Sequence, residues 1–146
     1  MRIIFVMGPA CAGKSTFIKE NFPEFKKIDL YDFQERWVTV ENVMKSYEEC
    51  LKALLDVIKN KEDVVLEHTF LKAIRRKAYI DAIKEITDTP IEAYFLFPSD
   101  EELKENAKQR GIKLNEKTIQ LYREIAEFPT IEEGFAQVTL IRKNNK

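Results

Sequence analysis

The sequence predicts an α/β domain with a parallel five-stranded sheet flanked by helices and a helical lid. Helical patterns separate most of the short β-favouring runs, and crossover helices are what usually connect parallel strands. A chain of 146 residues is expected to form a single domain over residues 1–146. The β-favouring runs are residues 3–7, 26–30, 63–67, 92–97 and 137–141.

Apolar residues recur at helical spacing between these runs. One stripe extends over residues 43–58, and a second consists of Ile74, Ala78, Ala82, Ile83 and Ile86. Each stripe is expected to pack on one face of the sheet.

Helix starts and stops in the second half of the chain predict the lid. Ser99 and Thr130 are each followed three residues later by a glutamate, which is capping-box spacing. Gly111 is expected to end one helix and Asn115 to cap the next, so the lid covers about residues 104–115. Residues 143–146 are expected to be disordered.

The strongest functional signal follows the first strand. The segment Gly8-Pro9-Ala10-Cys11-Ala12-Gly13-Lys14-Ser15-Thr16 has the spacing of a Walker A phosphate-binding loop. Its glycines let backbone N–H groups turn inward, and the helix that starts near Lys14 directs its positive dipole end at the same point. Lys14 is expected to reach the β- and γ-phosphates of a nucleoside triphosphate, and Ser15 to contact Mg²⁺. The predicted nucleotide-binding residues are Gly8, Ala10, Cys11, Ala12, Gly13, Lys14, Ser15 and Thr16.

Net charge and cysteine content indicate which partners and which cellular compartment to expect. A net charge of −1 argues against a protein that coats nucleic acid through bulk electrostatics, so any nucleic-acid contact is expected to be local. Cys11 and Cys50 form no disulfide framework, which favours a reducing cytoplasm. The apolar start of the chain is too short for a signal peptide or a membrane span. We therefore expect a cytoplasmic protein without a membrane partner.

The phosphate loop alone does not name the reaction. No Asn-Lys-x-Asp element, which reads guanine in GTPases, occurs in the sequence. The third strand ends in Glu67-His68 and lacks the acidic pair of remodelling ATPases. The short chain and the predicted helical hairpin around Gly111 favour a small kinase. Among P-loop proteins, the predicted fold class is therefore the P-loop NTPase of the kinase type.

Four segments, in order along the chain, carry a family resemblance. They are the phosphate loop, Glu67-His68-Thr69 with the arginines after it, the lid segment from Leu103 to Gly111, and the segment from Tyr122 to Phe135. Together they resemble the kinase domain of polynucleotide 5′-hydroxyl kinases, from phage end-healing enzymes and eukaryotic kinase-phosphatase repair proteins. The resemblance covers nearly the whole chain. It implies transfer of the γ-phosphate of ATP, with Mg²⁺, to the 5′-hydroxyl of a polynucleotide or nucleotide-like substrate.

The resemblance also implies residue roles. Lys14 and Ser15 hold ATP and Mg²⁺, Thr16 assists at the α-phosphate, and Arg110 is the lid arginine that approaches the γ-phosphate. Glu67 orders a metal-bound water from the strand end.

The acceptor hydroxyl requires a carboxylate that orients it and takes its proton. Asp29 and Asp32 both follow the second strand. Asp32 is favoured as this catalytic base, because Asp29 lies close enough to the strand to serve as a turn residue or cap. Arg36, one turn later, pairs with Asp32 or touches an acceptor phosphate.

Other substrate contacts are open to two interpretations. Arg75 and Arg76 belong to a basic cluster that either grips an acceptor phosphate or forms a solvated helix face. His68 contacts the acceptor or makes a hydrogen bond at the strand end. The strand-end motif departs from the Asp-Asn-Thr-Asn of the family, and Glu105 stands where phage relatives carry a second lid arginine.

Two further functions compete with this interpretation. One is a small-molecule kinase of the zeta-toxin kind, which phosphorylates nucleosides or sugar nucleotides. The other is a non-catalytic module whose ATP-bound state controls a partner. The motifs leave the oligomeric state open.

Overall fold

The computed structural model describes residues 1–34 and 39–142. The predicted role of Arg36 and the predicted disorder of residues 143–146 lie outside these ranges. Five parallel strands form one sheet. They are β1 (Ile3–Met7), β2 (Lys26–Asp29), β3 (Val64–His68), β4 (Ile91–Leu96) and β5 (Gln137–Ile141). Their order across the sheet is β2-β3-β1-β4-β5, which confirms the predicted fold class.

In the part of the chain that the structure describes, five α-helices and two short 3₁₀ turns connect the strands. The 3₁₀ turns cover Leu30–Phe33, directly after β2, and Ile131–Glu133, before β5. Within the described residues, no helix has both the length and the apolar character needed to cross a membrane. The helices are α1 (Lys14–Asn21), α2 (Val40–Lys59), α3 (Ala73–Ile86), α4 (Asp100–Gln109) and α5 (Glu116–Ile125).

Strand β1 is buried along its whole length because helices cover both faces of the sheet. Its side chains alternate between two apolar clusters, with Phe5 in one and Val6 in the other. The Phe5 cluster contains Leu54 from α2 and Ile80 from α3. The Val6 cluster contains residues of α1, α4 and α5, including Leu103. The short first helix and the lid helices therefore share one face of the sheet.

The predicted apolar stripe of α3 is wrong. Ile74 is 76% exposed and Ile86 is 40% exposed, although both were assigned to the buried face. The residues that α3 buries are Arg76, Tyr79, Ile80 and Ile83. The prediction failed because α3 buries the charged residue Arg76, whose partner Glu133 lies far along the chain. The spacing of apolar residues gives no sign of such a pair.

Both predicted capping boxes form, but they start different structures. Ser99 accepts a hydrogen bond from the Glu102 N–H and begins the ten-residue helix α4. The Thr130 and Glu133 box begins only a three-residue 3₁₀ turn. Gly134 follows at once with a φ of +122°, a conformation that ends the turn.

The predicted lid corresponds to the hairpin of α4 and α5. Gly111 has a φ of +72° directly after Arg110, the C-cap of α4. The Asn115 side chain accepts from the Thr118 N–H and caps α5, as predicted. The hairpin therefore begins earlier and ends later than residues 104–115.

Candidate active site

A cavity of about 830 Å³ opens at the carboxyl ends of the strands, around the loop between β1 and α1. Strand β1 lies between β3 and β4, so chain connections diverge on its two sides. Parallel sheets bind their ligands at such a point. The cavity lining includes Ala10, Cys11, Ala12, Gly13, Lys14, Ser15 and Thr16.

Two glycines shape the loop for different reasons. A β-carbon at residue 8, where φ is +151°, would overlap the Leu96 carbonyl oxygen. Gly13 has a φ of +93° with open space around it, and it is the N-cap of α1. Gly8 is therefore required by close approach to β4, and Gly13 by the left-handed turn into the helix.

Lys14 is held inside this loop. Its Nζ donates hydrogen bonds to the carbonyl oxygens of Gly8, at 2.8 Å, and Pro9, at 3.0 Å. Burial lowers the pKa of Lys14 to about 8, since desolvation disfavours the charged form. Glu67 and Asp29 partly oppose this shift, and phosphate oxygens bound at the loop would add further negative charge that favours the ammonium form.

Ser15 and Glu67 meet across the sheet, although 52 residues separate them. The Ser15 hydroxyl lies 2.9 Å from Glu67 Oε1 and 3.1 Å from Oε2, where it donates to the carboxylate. Hydroxyl and carboxylate oxygens are ligands that Mg²⁺ accepts, directly or through water. The donor set therefore fits a magnesium ion held by Ser15, with Glu67 beside it.

Lys27 joins the two carboxylates at the ends of β2 and β3. Its Nζ lies 3.2 Å from Glu67 Oε1 and 3.8 Å from Asp29 Oδ2. The strand register explains this group, because Asp29 and Glu67 are paired across β2 and β3. Lys27 is a site residue that sequence reasoning missed; its signal was a lysine two positions before an aspartate at the end of a strand.

The geometry favours Asp29 over Asp32, the aspartate chosen from the sequence, as the candidate catalytic carboxylate. Asp29 lines the cavity, whereas Asp32 is exposed and does not. Asp29 also caps the 3₁₀ turn, because its Oδ1 accepts from the Tyr31 N–H at 2.9 Å. Burial raises the pKa of Asp29, and the Tyr31 hydrogen bond opposes that rise. Capping and lining the site are thus compatible in one residue.

His68 is enclosed at the end of β3. It is 1% exposed, its ring stacks on Phe70, and the rings of Tyr47 and Tyr79 meet it edge-on. Its Nδ1 accepts from the Phe70 N–H at 3.2 Å, so Nε2 carries the proton of the neutral ring. Burial lowers the pKa of His68 well below its usual range.

His68 thus has one of its two proposed roles, the hydrogen bond at the strand end. It also contributes to the cavity lining, and within the described residues its Nε2 has no hydrogen-bond partner. A contact between His68 and the acceptor stays a prediction.

The structure removes Arg76 from the predicted basic cluster. Arg76 is fully buried, and its Nε and Nη2 donate to Glu133 at 2.7 and 2.9 Å. Its Nη1 donates to the Phe70 carbonyl oxygen at 3.0 Å. These contacts pair the Arg76 guanidinium with groups in the protein core, so no part of it is available to an acceptor phosphate. Arg75 is exposed to solvent, contacts the Met44 sulfur and does not line the cavity. Neither arginine is therefore placed to bind the acceptor there.

The lid helix α4 contacts the phosphate loop directly. Asn106 Nδ2 donates to the Cys11 carbonyl oxygen at 2.9 Å, and Arg110 Nη1 lies 4.0 Å from Cys11 Sγ. Both lid residues line the cavity, as predicted for the position of Arg110. Glu105 is exposed and lies within hydrogen-bond distance of Gln109, so it adds no positive charge to the lid.

Comparison with known proteins agrees with this geometry. A family model described as an AAA domain matches residues 3–129. The chain belongs to this family, and its fold is that of a P-loop kinase-type domain. The family and its relatives support phosphotransferase chemistry.

Three relatives illustrate the similarity. The chain is 25% identical over 143 residues to the bifunctional polynucleotide phosphatase/kinase of Schizosaccharomyces pombe (strain 972 / ATCC 24843), covering 93% of this chain and 32% of that protein. It thus spans about a third of that relative's length. A sugar kinase from Janibacter sp. HTCC2649 has a similar fold, with a TM-score of 0.70, 15% identity, and coverage of 97% and 85% of the two chains.

A chain in the structure of the Pnkp1/Rnl/Hen1 RNA repair complex is also similar. Its TM-score is 0.66 at 15% identity, and the match covers 88% of this chain and 48% of that one. At this identity the two structural matches show the fold alone.

Proposed function

We propose that this protein is an ATP- and Mg²⁺-dependent kinase that transfers the γ-phosphate to a hydroxyl acceptor, with the 5′-hydroxyl of a polynucleotide as the first candidate. One observation carries the proposal. A single cavity collects Lys14, Ser15, Glu67, Asp29 and Arg110, from four separate parts of the chain. These are the group types that phosphoryl transfer requires for charge neutralisation and for positioning the attacking oxygen.

Each residue has a role in this proposal. Lys14 and the loop N–H groups bind the β- and γ-phosphates. Ser15 and Glu67 hold Mg²⁺, which neutralises phosphate charge when bound. Arg110 approaches the γ-phosphate from the lid, where its fixed positive charge stabilises the equatorial oxygens. Asp29 orients the acceptor hydroxyl and accepts its proton.

The polynucleotide acceptor is supported by the curated relative, whose name includes a polynucleotide kinase activity. Tyr31 lines the cavity beside Asp29 and is 66% exposed, which suits stacking on an acceptor base. A cytoplasmic location belongs to the same proposal, since Cys11 and Cys50 are both free.

A specific observation favours a second candidate, an uncharged small molecule such as a nucleoside or a polyol. Among the described residues that line the cavity, the arginine and lysine side chains are Lys14 and Arg110, and both lie at the phosphate loop. The acceptor side carries the carboxylates Asp29 and Glu67 instead. Lys27 lies outside the lining and is already paired with both carboxylates, so a phosphodiester there would face negative charge.

The test is transfer of labelled γ-phosphate from ATP, with Mg²⁺, to 5′-hydroxyl oligonucleotides, nucleosides and sugar nucleotides. We expect labelled oligonucleotide from the wild type, and no product from Lys14→Ala or Asp29→Asn. Asp32→Asn is the matched control and is expected to retain activity. Label on nucleosides alone would replace the polynucleotide acceptor by the second candidate, whereas label on sugar nucleotides would contradict the requirement for an uncharged acceptor. ATP binding without any transfer would contradict kinase activity and favour a switch module.

A further inference from the structure

Cys11 occupies an unusual backbone conformation in the middle of the phosphate loop. Its φ is +67°, and Lys61 is the other non-glycine residue in the described ranges with a positive φ. Left-handed residues with a β-carbon are uncommon because the β-carbon crowds the following carbonyl. A left-handed residue within a turn contributes to a concave set of N–H groups that binds anions. The shape of the phosphate site therefore depends on the conformation of residue 11.

Asn106 braces this conformation from the lid. Its Nδ2 donates to the Cys11 carbonyl oxygen at 2.9 Å, although 95 residues separate the two. Arg110 lies one helical turn later, with Nη1 4.0 Å from Cys11 Sγ. Residues four apart share one helix face. The same face of α4 thus contacts Cys11 at its backbone and at its side chain.

We propose that Asn106 is a positioning residue for nucleotide binding. Its amide holds Cys11 in the left-handed conformation that shapes the phosphate site. The inference rests on the proposed function, because it assumes that the loop binds ATP. A net hydrogen bond of ordinary strength corresponds to about a fivefold change in affinity, which is the effect expected when the donor is lost.

Asn106→Leu removes the donor and keeps a side chain of similar size. We expect the dissociation constant of ATP, measured by isothermal titration calorimetry, to rise about fivefold. KM for ATP should rise with it, while kcat at saturating ATP changes less. Lys108→Leu is the matched control, since Lys108 is exposed on α4 and does not line the cavity.

A second substitution tests whether Asn106 acts by holding the Cys11 backbone or only by packing against the loop. Glycine adopts a φ of +67° without a β-carbon penalty, so Cys11→Gly should restore most of the ATP affinity of Asn106→Leu. Cys11→Ala in the same background removes the thiol but keeps the β-carbon, and it should restore none. Equal affinities in the two double variants would overturn the inference.

The proposed function and this inference fail in different ways. If the wild type binds ATP and Asn106→Leu binds it equally well, the bracing role is wrong and the kinase proposal stands. If the wild type binds no ATP, both are wrong. Should Asn106→Leu fail to fold, Asn106→Ala replaces it, because alanine cannot donate to the Cys11 carbonyl, adds no charge beside the phosphates and should weaken ATP binding in the same direction.

Discussion

Arg76 and Glu133 form a buried ion pair with two parallel hydrogen bonds, across a sequence separation of 57 residues. The Arg76 side chain is completely inaccessible to solvent, while that of Glu133 is 15% exposed. Arg76 also binds the Phe70 carbonyl oxygen, just after the strand-end residues Glu67 and His68. The pair therefore ties the end of β3 to the turn before β5. This contact gives a structural role to the segment from Tyr122 to Phe135, one of the four that carry the family resemblance.

We predict that Glu133→Gln lowers the free energy of unfolding by about 3–5 kcal/mol, since it leaves a buried guanidinium without a countercharge. Urea denaturation followed by circular dichroism measures the loss. Lys77→Met removes an exposed lysine that pairs with Asp81 on the same helix, and should cost less than about 1 kcal/mol. Equal effects of the two substitutions would show that the buried pair contributes no more than a surface pair.

Arg110 is predicted to act in the transfer step. Arg110→Ala should lower kcat by about 10²–10³-fold, because a preorganised charge near the transferred phosphoryl group is lost. The free energy of unfolding should hardly change, because Arg110 is exposed. Lys113→Ala, an exposed residue of the same hairpin outside the cavity lining, is the control for a general charge effect. A normal kcat in Arg110→Ala would remove this residue from the mechanism.

Gly134 and Gly111 should differ in how much stability is lost when each is replaced by alanine. A β-carbon at residue 134 would lie 2.9 Å from Ile80 Cγ2, and the φ there is +122°. Gly134→Ala should therefore cost about 2–4 kcal/mol from backbone strain and overpacking together. Gly111→Ala meets nothing within 4 Å at a φ of +72°, and should cost about 1 kcal/mol. Thermal and urea unfolding of both variants measures the two losses in the free energy of unfolding. A larger loss for Gly111→Ala than for Gly134→Ala would contradict the prediction.

Cys50 is predicted to resist alkylation in the folded protein. Its side chain is fully buried, and burial raises the pKa of the thiol to about 11. The thiolate is the reactive form, so at pH 8 iodoacetamide should leave Cys50 unmodified, and reactivity should grow as the pH approaches 11. Peptide mass spectrometry reads the site, with urea-denatured protein as the fully reactive control. Rapid labelling of the native protein would mean that α2 opens readily.

Local pattern was enough for the parts of this protein that depend on neighbouring residues. The phosphate loop is contiguous, so its spacing predicted both the turn and the positions of Lys14 and Ser15 beside the cavity. The caps at Ser99 and Asn115 were predicted for the same reason, since a cap bonds within three residues. Glu67, whose role the family resemblance implied, lines the cavity at the end of β3.

Other features required the tertiary structure. The choice between Asp29 and Asp32 depended on a 3₁₀ turn that points one carboxylate into the cavity and leaves the other exposed. Charge alone placed Arg76 at the surface, and only Glu133, far along the chain, makes its burial possible. The brace from Asn106 to Cys11 joins residues that no local pattern relates. Periodicity and motif spacing describe bonds between near neighbours, whereas the burial of charge and the final geometry of a site depend on which distant segments the packed sheet brings together.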